Sequence, residues 1–282
     1  MDMLVSTDWL ASEIDAPDLA VLDASLHLPS AERDARAEFE TAHISGARFL
    51  DLAGLHDPSS ALPGKVPDGA RVARWLGERG IGPQTRIVLY DDSDLRSACR
   101  AWVLLDLAGL ANIAVLDGGL AKWRAEGRAL ESGVPDIDHV ERPPTSVRVT
   151  AIRDKAAMLA NLGTHVEQVV DARDAGRFTG ADEDTVHGLP GGHIPGARHL
   201  FYRDLFDDDG TFRDEDALGA RFADAGLDLD RPITATCGSG VTASVVLFAA
   251  RLLGARRTAL YDGSWSEWGA DPETPKEIGD PR

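Results

Sequence analysis

The chain has 282 residues, 43% of them apolar and 27% charged, which is ordinary globular composition with material for one large domain or two of about 140 residues. Twenty-nine Lys and Arg against 47 Asp and Glu leave a formal net charge of −18, a field that repels phosphate backbones and anionic lipid, so neither nucleic acid nor a membrane is an expected partner. Two cysteines in so long a chain make no disulfide framework, no Cys/His cluster has zinc spacing, and no apolar run reaches the roughly 20 residues of a bilayer span, so no metal or organic cofactor is implied.

Residues 1–10 lack the basic and apolar regions of a secretory signal, and the reducing cytoplasm, where a free thiol persists, is the expected compartment. In the first half, short β-branched runs over 21–23, 87–90 and 114–116 predict buried strands. Helical periodicity covers 70–79 and 98–107, and Cys99 falls inside the second of these, where it reads as packing. Residues 131–147 carry Pro135, Pro143 and Pro144 among polar residues and read as an extended linker. In the second half the strands are expected over 168–171, 233–236 and 259–261, and the helices over 215–225 and 241–253. Strand and helix alternate throughout, which predicts an α/β fold with parallel sheets covered by helices on both faces.

The two halves repeat one another. Val21-Leu22-Asp23-Ala24 returns as Val169-Val170-Asp171-Ala172, and His43-Ile44-Ser45-Gly46-Ala47-Arg48 as His193-Ile194-Pro195-Gly196-Ala197-Arg198. The strand ending at Asp91 matches the one ending at Cys237, and Leu116-Asp117-Gly118-Gly119 matches Tyr261-Asp262-Gly263-Ser264. The offsets, 148, 150, 146 and 145 residues, are too long for a solenoid unit and indicate a duplicated domain. The expected layout is a non-catalytic domain over 1–133, a linker over 134–148 and a catalytic domain over 149–282.

Cys237 ends a central strand and is followed by Gly238, Ser239, Gly240, Val241 and Thr242, where a helix begins. Ligands of parallel sheets sit beyond the strand carboxyl ends. The glycines allow the loop to curl with its amides inward, and the helix N-terminus adds partial positive charge, so the segment suits a thiolate or a terminal persulfide. Asp91, at the matching position of the first half, cannot carry sulfur, so that half is expected to be an inactive copy forming one wall of a cleft. His43 and His193 precede apolar residues in the repeated turn and suit structural hydrogen bonds.

These features resemble the tandem rhodanese-like sulfurtransferases: an inactive first half, a His-Ile-x-Gly-Ala turn in both halves, and an active loop opening with Cys. The run Cys237-Gly238-Ser239-Gly240-Val241-Thr242-Ala243 resembles the loop of the 3-mercaptopyruvate enzymes, whereas the thiosulfate-specific type has basic residues after the cysteine. Asp171-Ala172-Arg173, Gly176-Arg177-Phe178 and Tyr261-Asp262-Gly263-Ser264-Trp265-Ser266-Glu267-Trp268 match the same family. The resemblance implies a Cys237 persulfide loaded from 3-mercaptopyruvate or thiosulfate and emptied onto cyanide, a small thiol or thioredoxin. It implies donor binding by Arg177 and by loop residues Gly238 to Thr242. The second donor-binding arginine of the mercaptopyruvate type is replaced by Val186, with His187 beside it as a candidate contact. A Ser-His-Asp relay would use Ser239, but its other positions align with Ala53 and Ser60, leaving Asp51 and His56 as nearby substitutes. Two other readings are open. Cysteine phosphatases and arsenate reductases need an arginine in the loop, which residues 238–243 lack. A rhodanese-like binding module would carry no reactive cysteine at all.

Overall fold

Short buried apolar runs become the strands, and in a computed structural model describing residues 1–280 they assemble into two separate five-stranded parallel sheets. Each sheet is the centre of its own unit. The first unit comprises Met1–Asp57, Val66–Arg148 and Asp207–Phe212; the second comprises Pro58–Lys65, Val149–Phe206 and the chain from Arg213.

The first unit contains β1 (Leu4–Val5), β2 (Leu19–Asp23), β3 (His43–Ile44), β4 (Arg48–Phe49), β5 (Arg86–Tyr90), β6 (Ile113–Leu116) and β7 (Leu130–Glu131). Its sheet runs β1-β6-β5-β2-β4, all parallel, while β3 and β7 form a small antiparallel ribbon. Its helices are α1 (Thr7–Glu13), α2 (Ala35–Thr41), α3 (Gly69–Gly77), α4 (Ala98–Leu107) and α5 (Gly119–Ala125). The second unit contains β8 (Ile152–Arg153), β9 (Gln168–Asp171), β10 (Arg198–His199), β11 (Ile233–Thr236) and β12 (Thr258–Tyr261), in the order β10-β9-β11-β12-β8. Its helices are α6 (Lys155–Thr164), α7 (Ala175–Thr179), α8 (Glu215–Asp224), α9 (Val241–Leu252) and α10 (Ser264–Trp268). With β4, β2, β5, β6 and β1 set against β10, β9, β11, β12 and β8, the two sheets have one topology, as the repeat in the sequence requires.

The cores follow from the apolar patterning. Leu10, Val21, Phe39, Val88, Leu116 and Trp123 pack together in the first unit; Met158, Val169, Phe178, Tyr261, Trp265 and Trp268 do so in the second. Helix α9 is buried continuously from Thr242 to Ala250, which explains why its sequence is apolar around most of its circumference. Aspartates start five of the helices: Asp34, Asp68, Asp154, Asp174 and Asp214 each accept an amide of the first turn, satisfying donors that a helix cannot pair internally. The repeated histidines are structural. Nδ1 of His43 bonds the Phe39 carbonyl and Nδ1 of His193 the Phe178 carbonyl, at 2.7 and 2.9 Å, and each ring stacks on that phenylalanine.

The proline-rich stretch after β7 is extended, as its composition predicts, but it is fastened to the first unit rather than free. The Val140 amide donates to Gly77, that of Thr145 to Gly69, and that of Arg148 to Leu107. A Cβ on Gly69 or Gly77 would overlap the carbonyl oxygens of Thr145 and Val140, so these α3 glycines are what let the strap lie flat.

Candidate active site

The site begins at the carboxyl end of β11, the middle strand of the second sheet. The chain leaves the sheet at Cys237 and turns through Gly238, Ser239 and Gly240, whose φ of +87° is one that glycine adopts without strain, and enters α9 at Val241. The curl brings the Gly240 amide to 3.1 Å from the cysteine sulfur, to which it donates a hydrogen bond. Cys237 is only 2% exposed, so the sulfur sits at the bottom of the turn and not on the surface. Ser239 and Val241 are half-buried, while Gly238, Gly240 and Thr242 are buried.

The other side of the turn is held by α10. The amides of Trp265 and Ser266 donate to the carbonyls of Cys237 and Gly238, both at 2.9 Å, and the Ser266 hydroxyl adds a second bond to Gly238 at 2.8 Å. The Cys237 amide donates to Oγ of Ser264 at 3.2 Å, and that hydroxyl donates onward to the Tyr261 carbonyl at 2.9 Å. The carbonyls of the turn are thus drawn toward α10, away from the Gly240 amide that faces the sulfur. Segment Pro58–Lys65 lies against the same turn. A Cβ on Gly64 would sit 3.7 Å from the Ser239 carbonyl oxygen, and Nζ of Lys65 is 3.5 Å from Oδ2 of the buried Asp262.

An ionic cluster flanks the turn. Arg173, at the end of β9, is fully buried; its Nη2 donates to Asp171 at 2.7 Å and to the Gly192 carbonyl at 2.6 Å, and its guanidinium lies 4.5 Å from the centre of the Trp265 ring. Burial opposes its charge, but Asp171 and Asp184, with a contribution from the Cys237 sulfur, more than offset that and raise its pKa. Asp184, also fully buried, accepts from Nδ1 of His187 at 2.9 Å and lies 3.5 Å from Arg173 and 3.6 Å from Arg177. Burial alone would raise its pKa, but His187 and the two arginines hold it below the usual carboxylate range. Arg177, on α7, also donates through Nε to Asp174 at 2.5 Å.

His187 reaches the cysteine turn itself. A Cβ on Gly238 would overlap its ring, 2.9 Å from both ring nitrogens and nearer still to Cε1. The loop carrying it is fixed by the reciprocal backbone bonds of Asp184 and Leu189 and by the Trp265 indole, which donates to the Pro190 carbonyl at 2.9 Å.

Of the residues singled out in the sequence, the structure gathers Cys237 with Gly238 to Thr242 and His187 in one place, with Arg177 joined to them through Asp184. Val186, beside His187, is exposed. Ser60 spends its hydroxyl on the Leu62 amide. Asp51 and His56 belong to the first unit, where Asp51 accepts the Gly54 amide and Nδ1 of His56 bonds the Ala53 carbonyl, both within their own turn. Cys99 is buried in α4, as its helical context predicts. Arg173, Asp184 and Ser264 were missed as site residues. The Asp-Ala-Arg and Asp-Gly-Ser runs contained the first and last, but nothing in the spacing of Asp184 distinguished it from the many other acids.

The chain matches the family model described as rhodanese-like domain twice, over residues 6–126 and 154–271. It is 37% identical over 279 residues to the 3-mercaptopyruvate sulfurtransferase of Escherichia coli strain K12, with 97% of each chain covered. It is also 37% identical over 285 residues to the thiosulfate sulfurtransferase of Mus musculus, covering 96% of this chain and 94% of that one. A crystal structure of SseA from Escherichia coli superimposes with a TM-score of 0.85 at 34% identity, over 94% of this chain and 99% of that one. With both halves matched and the fold shared, the chain belongs to the rhodanese family, as two rhodanese-like domains in tandem.

Proposed function

We propose that the chain is a sulfurtransferase that loads sulfane sulfur from 3-mercaptopyruvate onto Cys237 and passes it to a thiophilic acceptor. The observation that carries this reading is the Gly240 amide 3.1 Å from the sulfur, in a turn with no Lys or Arg from 238 to 243. In the first half-reaction the Cys237 thiolate attacks the donor sulfur; the new S–S bond forms as the C–S bond breaks, and pyruvate leaves as its enolate and takes up a proton. In the second, the acceptor attacks the outer sulfur and the Cys237 thiolate is regenerated. Cyanide, a small thiol or the dithiol of thioredoxin has the required nucleophilicity.

Arg177 is the proposed anchor for the donor carboxylate, through its guanidinium fork. Gly238 to Thr242 line the seat of the transferred sulfur, and His187 borders it. A reducing cytoplasm suits a catalytic free thiol, and no helix among the described residues is long and apolar enough to cross a membrane. Thiosulfate is the alternative donor, supported by the equal identity to a thiosulfate sulfurtransferase. A turn without its own cation favours the carboxylate donor.

The test is kcat/KM for 3-mercaptopyruvate and for thiosulfate with cyanide as common acceptor, in the native protein and in Cys237→Ser. The expected result is preference for mercaptopyruvate and loss of both activities and of cyanide-labile sulfur in the variant. Turnover by Cys237→Ser removes Cys237 from the chemistry.

A further inference from the structure

We infer that His187 is a proton-gated binding group for the donor carboxylate, so that affinity for 3-mercaptopyruvate falls as the imidazole loses its proton; this rests on the sulfurtransferase reading above. Three observations carry it. The imidazole is held by its Nδ1 on a fully buried carboxylate, 2.9 Å away. That bond fixes Nδ1 as the protonated nitrogen and leaves Nε2 to change role: a lone pair when the ring is neutral, an N–H donor when it is cationic. The ring lies directly against Gly238, the residue after the nucleophile, in the space a side chain at 238 would need. Finally, Arg173 is fully buried and engaged by Asp171 and the Gly192 carbonyl, which leaves His187 as the group beside Arg177 that can meet a donor carboxylate. A protonated Nε2 is therefore a donor at the turn whose partner can be the substrate.

The charged groups around the ring are Asp184, which holds its Nδ1, and Arg173 and Arg177, each within 4 Å of Asp184. Across the turn lie the Cys237 thiol and the Lys65–Asp262 pair. A neutral Nε2 turns a lone pair toward a bound carboxylate and repels it; a protonated Nε2 donates to it. Carboxylate binding thus takes up a proton at His187, and by linkage a bound carboxylate raises the pKa of His187. Above that pKa, KM for the carboxylate donor climbs by up to about tenfold per pH unit, the limit for one linked proton. Any pH dependence that Cys237 itself contributes is common to the native protein and a His187 variant and cancels in their comparison.

The experiment has two readouts on the full chain. The first is an NMR titration of the His187 ring with and without saturating pyruvate, whose carboxylate stays ionised throughout. The expected result is a midpoint raised by about one pH unit with pyruvate present, corresponding to about tenfold tighter binding to the protonated ring. The second is KM and kcat for 3-mercaptopyruvate across the same pH range in the native protein and in His187→Gln, which keeps an amide donor but cannot titrate. The expected result is a KM that rises with pH in the native protein and is flat in the variant. A midpoint unmoved by pyruvate, or a native KM that is flat across the imidazole range while mercaptopyruvate is still turned over, overturns the inference alone. Absence of any mercaptopyruvate turnover overturns the donor assignment in the preceding section, and the inference with it.

Discussion

Gly238 is a glycine because of its neighbour and not because of its backbone, which lies outside the left-handed region. A methyl group there meets the His187 ring, and that ring cannot swing away freely while Asp184 holds its Nδ1. Gly238→Ala is therefore expected to lower stability by about 1–3 kcal/mol, the usual range for overpacking, and to lower activity with it. Removing the ring removes the clash, so the Gly238→Ala/His187→Ala double variant is expected to regain stability relative to Gly238→Ala alone. Urea unfolding of the four proteins checks this, and additive losses would show that the two side chains do not share the space. Arg177 is tied to Asp174 at the start of its own helix and to Asp184 through a longer contact, and the donor-binding role proposed for it is tested by kinetics. Arg177→Ala is expected to raise KM for mercaptopyruvate about tenfold or more, and Arg177→Lys to recover only part of that, since a single ammonium cannot reproduce the guanidinium fork. Steady-state kinetics on both variants decide it; an unchanged KM takes Arg177 out of the site.

At the scale of elements, the start of α10 differs from its counterpart in one informative position. Both copies enter this helix through a residue with positive φ: Gly119 at +57° in the first unit and Ser264 at +49° in the second. In both, the next amide (Leu120 or Trp265) donates to the carbonyl of the strand-end residue (Asp91 or Cys237). Glycine suits that backbone, whereas serine strains it by roughly 1 kcal/mol or more. What the serine adds is a hydroxyl that receives the Cys237 amide. Ser264→Gly is expected to leave the melting temperature nearly unchanged, because relief of strain offsets a lost hydrogen bond of about 1 kcal/mol, but to lower kcat by loosening the turn under the nucleophile. Ser264→Ala keeps the strain and loses the bond, so it is expected to melt lower than Ser264→Gly. Thermal unfolding and kcat for the two variants test the pair; equal kcat in all three proteins would make the hydroxyl purely structural. Such a position shows what was readable in advance. The central strands β2, β5, β9, β11 and β12 and helices α4 and α9 were legible because each is dominated by apolar and β-branched residues that the fold buries almost throughout. The two-residue edge strands β1, β4, β8 and β10 carry no periodicity to read, being defined only by pairing with distant partners. Cys237 and its turn were legible from local order alone, whereas Asp184 and the contact of His187 with Gly238 depend on residues about 50 positions apart meeting in space.

Across the whole molecule, duplication gives two turns of one design with different occupants. In the second unit the Gly240 amide meets a sulfur atom. In the first, the Asp91 carboxylate accepts the amides of Ser93 at 3.0 Å and Ala98 at 2.7 Å, the latter at the start of α4. The first copy thus fills the turn with a side chain of its own, and only one of the two turns can carry sulfur. The filling is not free of cost: burial outweighs those two hydrogen bonds and pushes the Asp91 pKa up from 3.8 to about 6. Because the folded pKa lies above the unfolded one, the fold prefers the protonated form. The contribution is fully present below the unfolded value of 3.8 and is lost as pH rises through about 6. Other carboxylates, Asp184 and Asp174 among them, have depressed pKa values and act oppositely, losing stability as pH falls. Total stability against pH therefore mixes both signs, and the informative quantity is the difference between the native protein and Asp91→Asn, whose amide does not titrate. That difference is expected to shift against the native protein between about pH 4 and about pH 7, by up to about 3 kcal/mol for a change of roughly two pKa units. Urea unfolding at both ends of this range measures it. A difference that stays constant with pH would mean that Asp91 ionises as readily in the fold as in the unfolded chain, and that the first turn holds its carboxylate as comfortably as the second holds its sulfur.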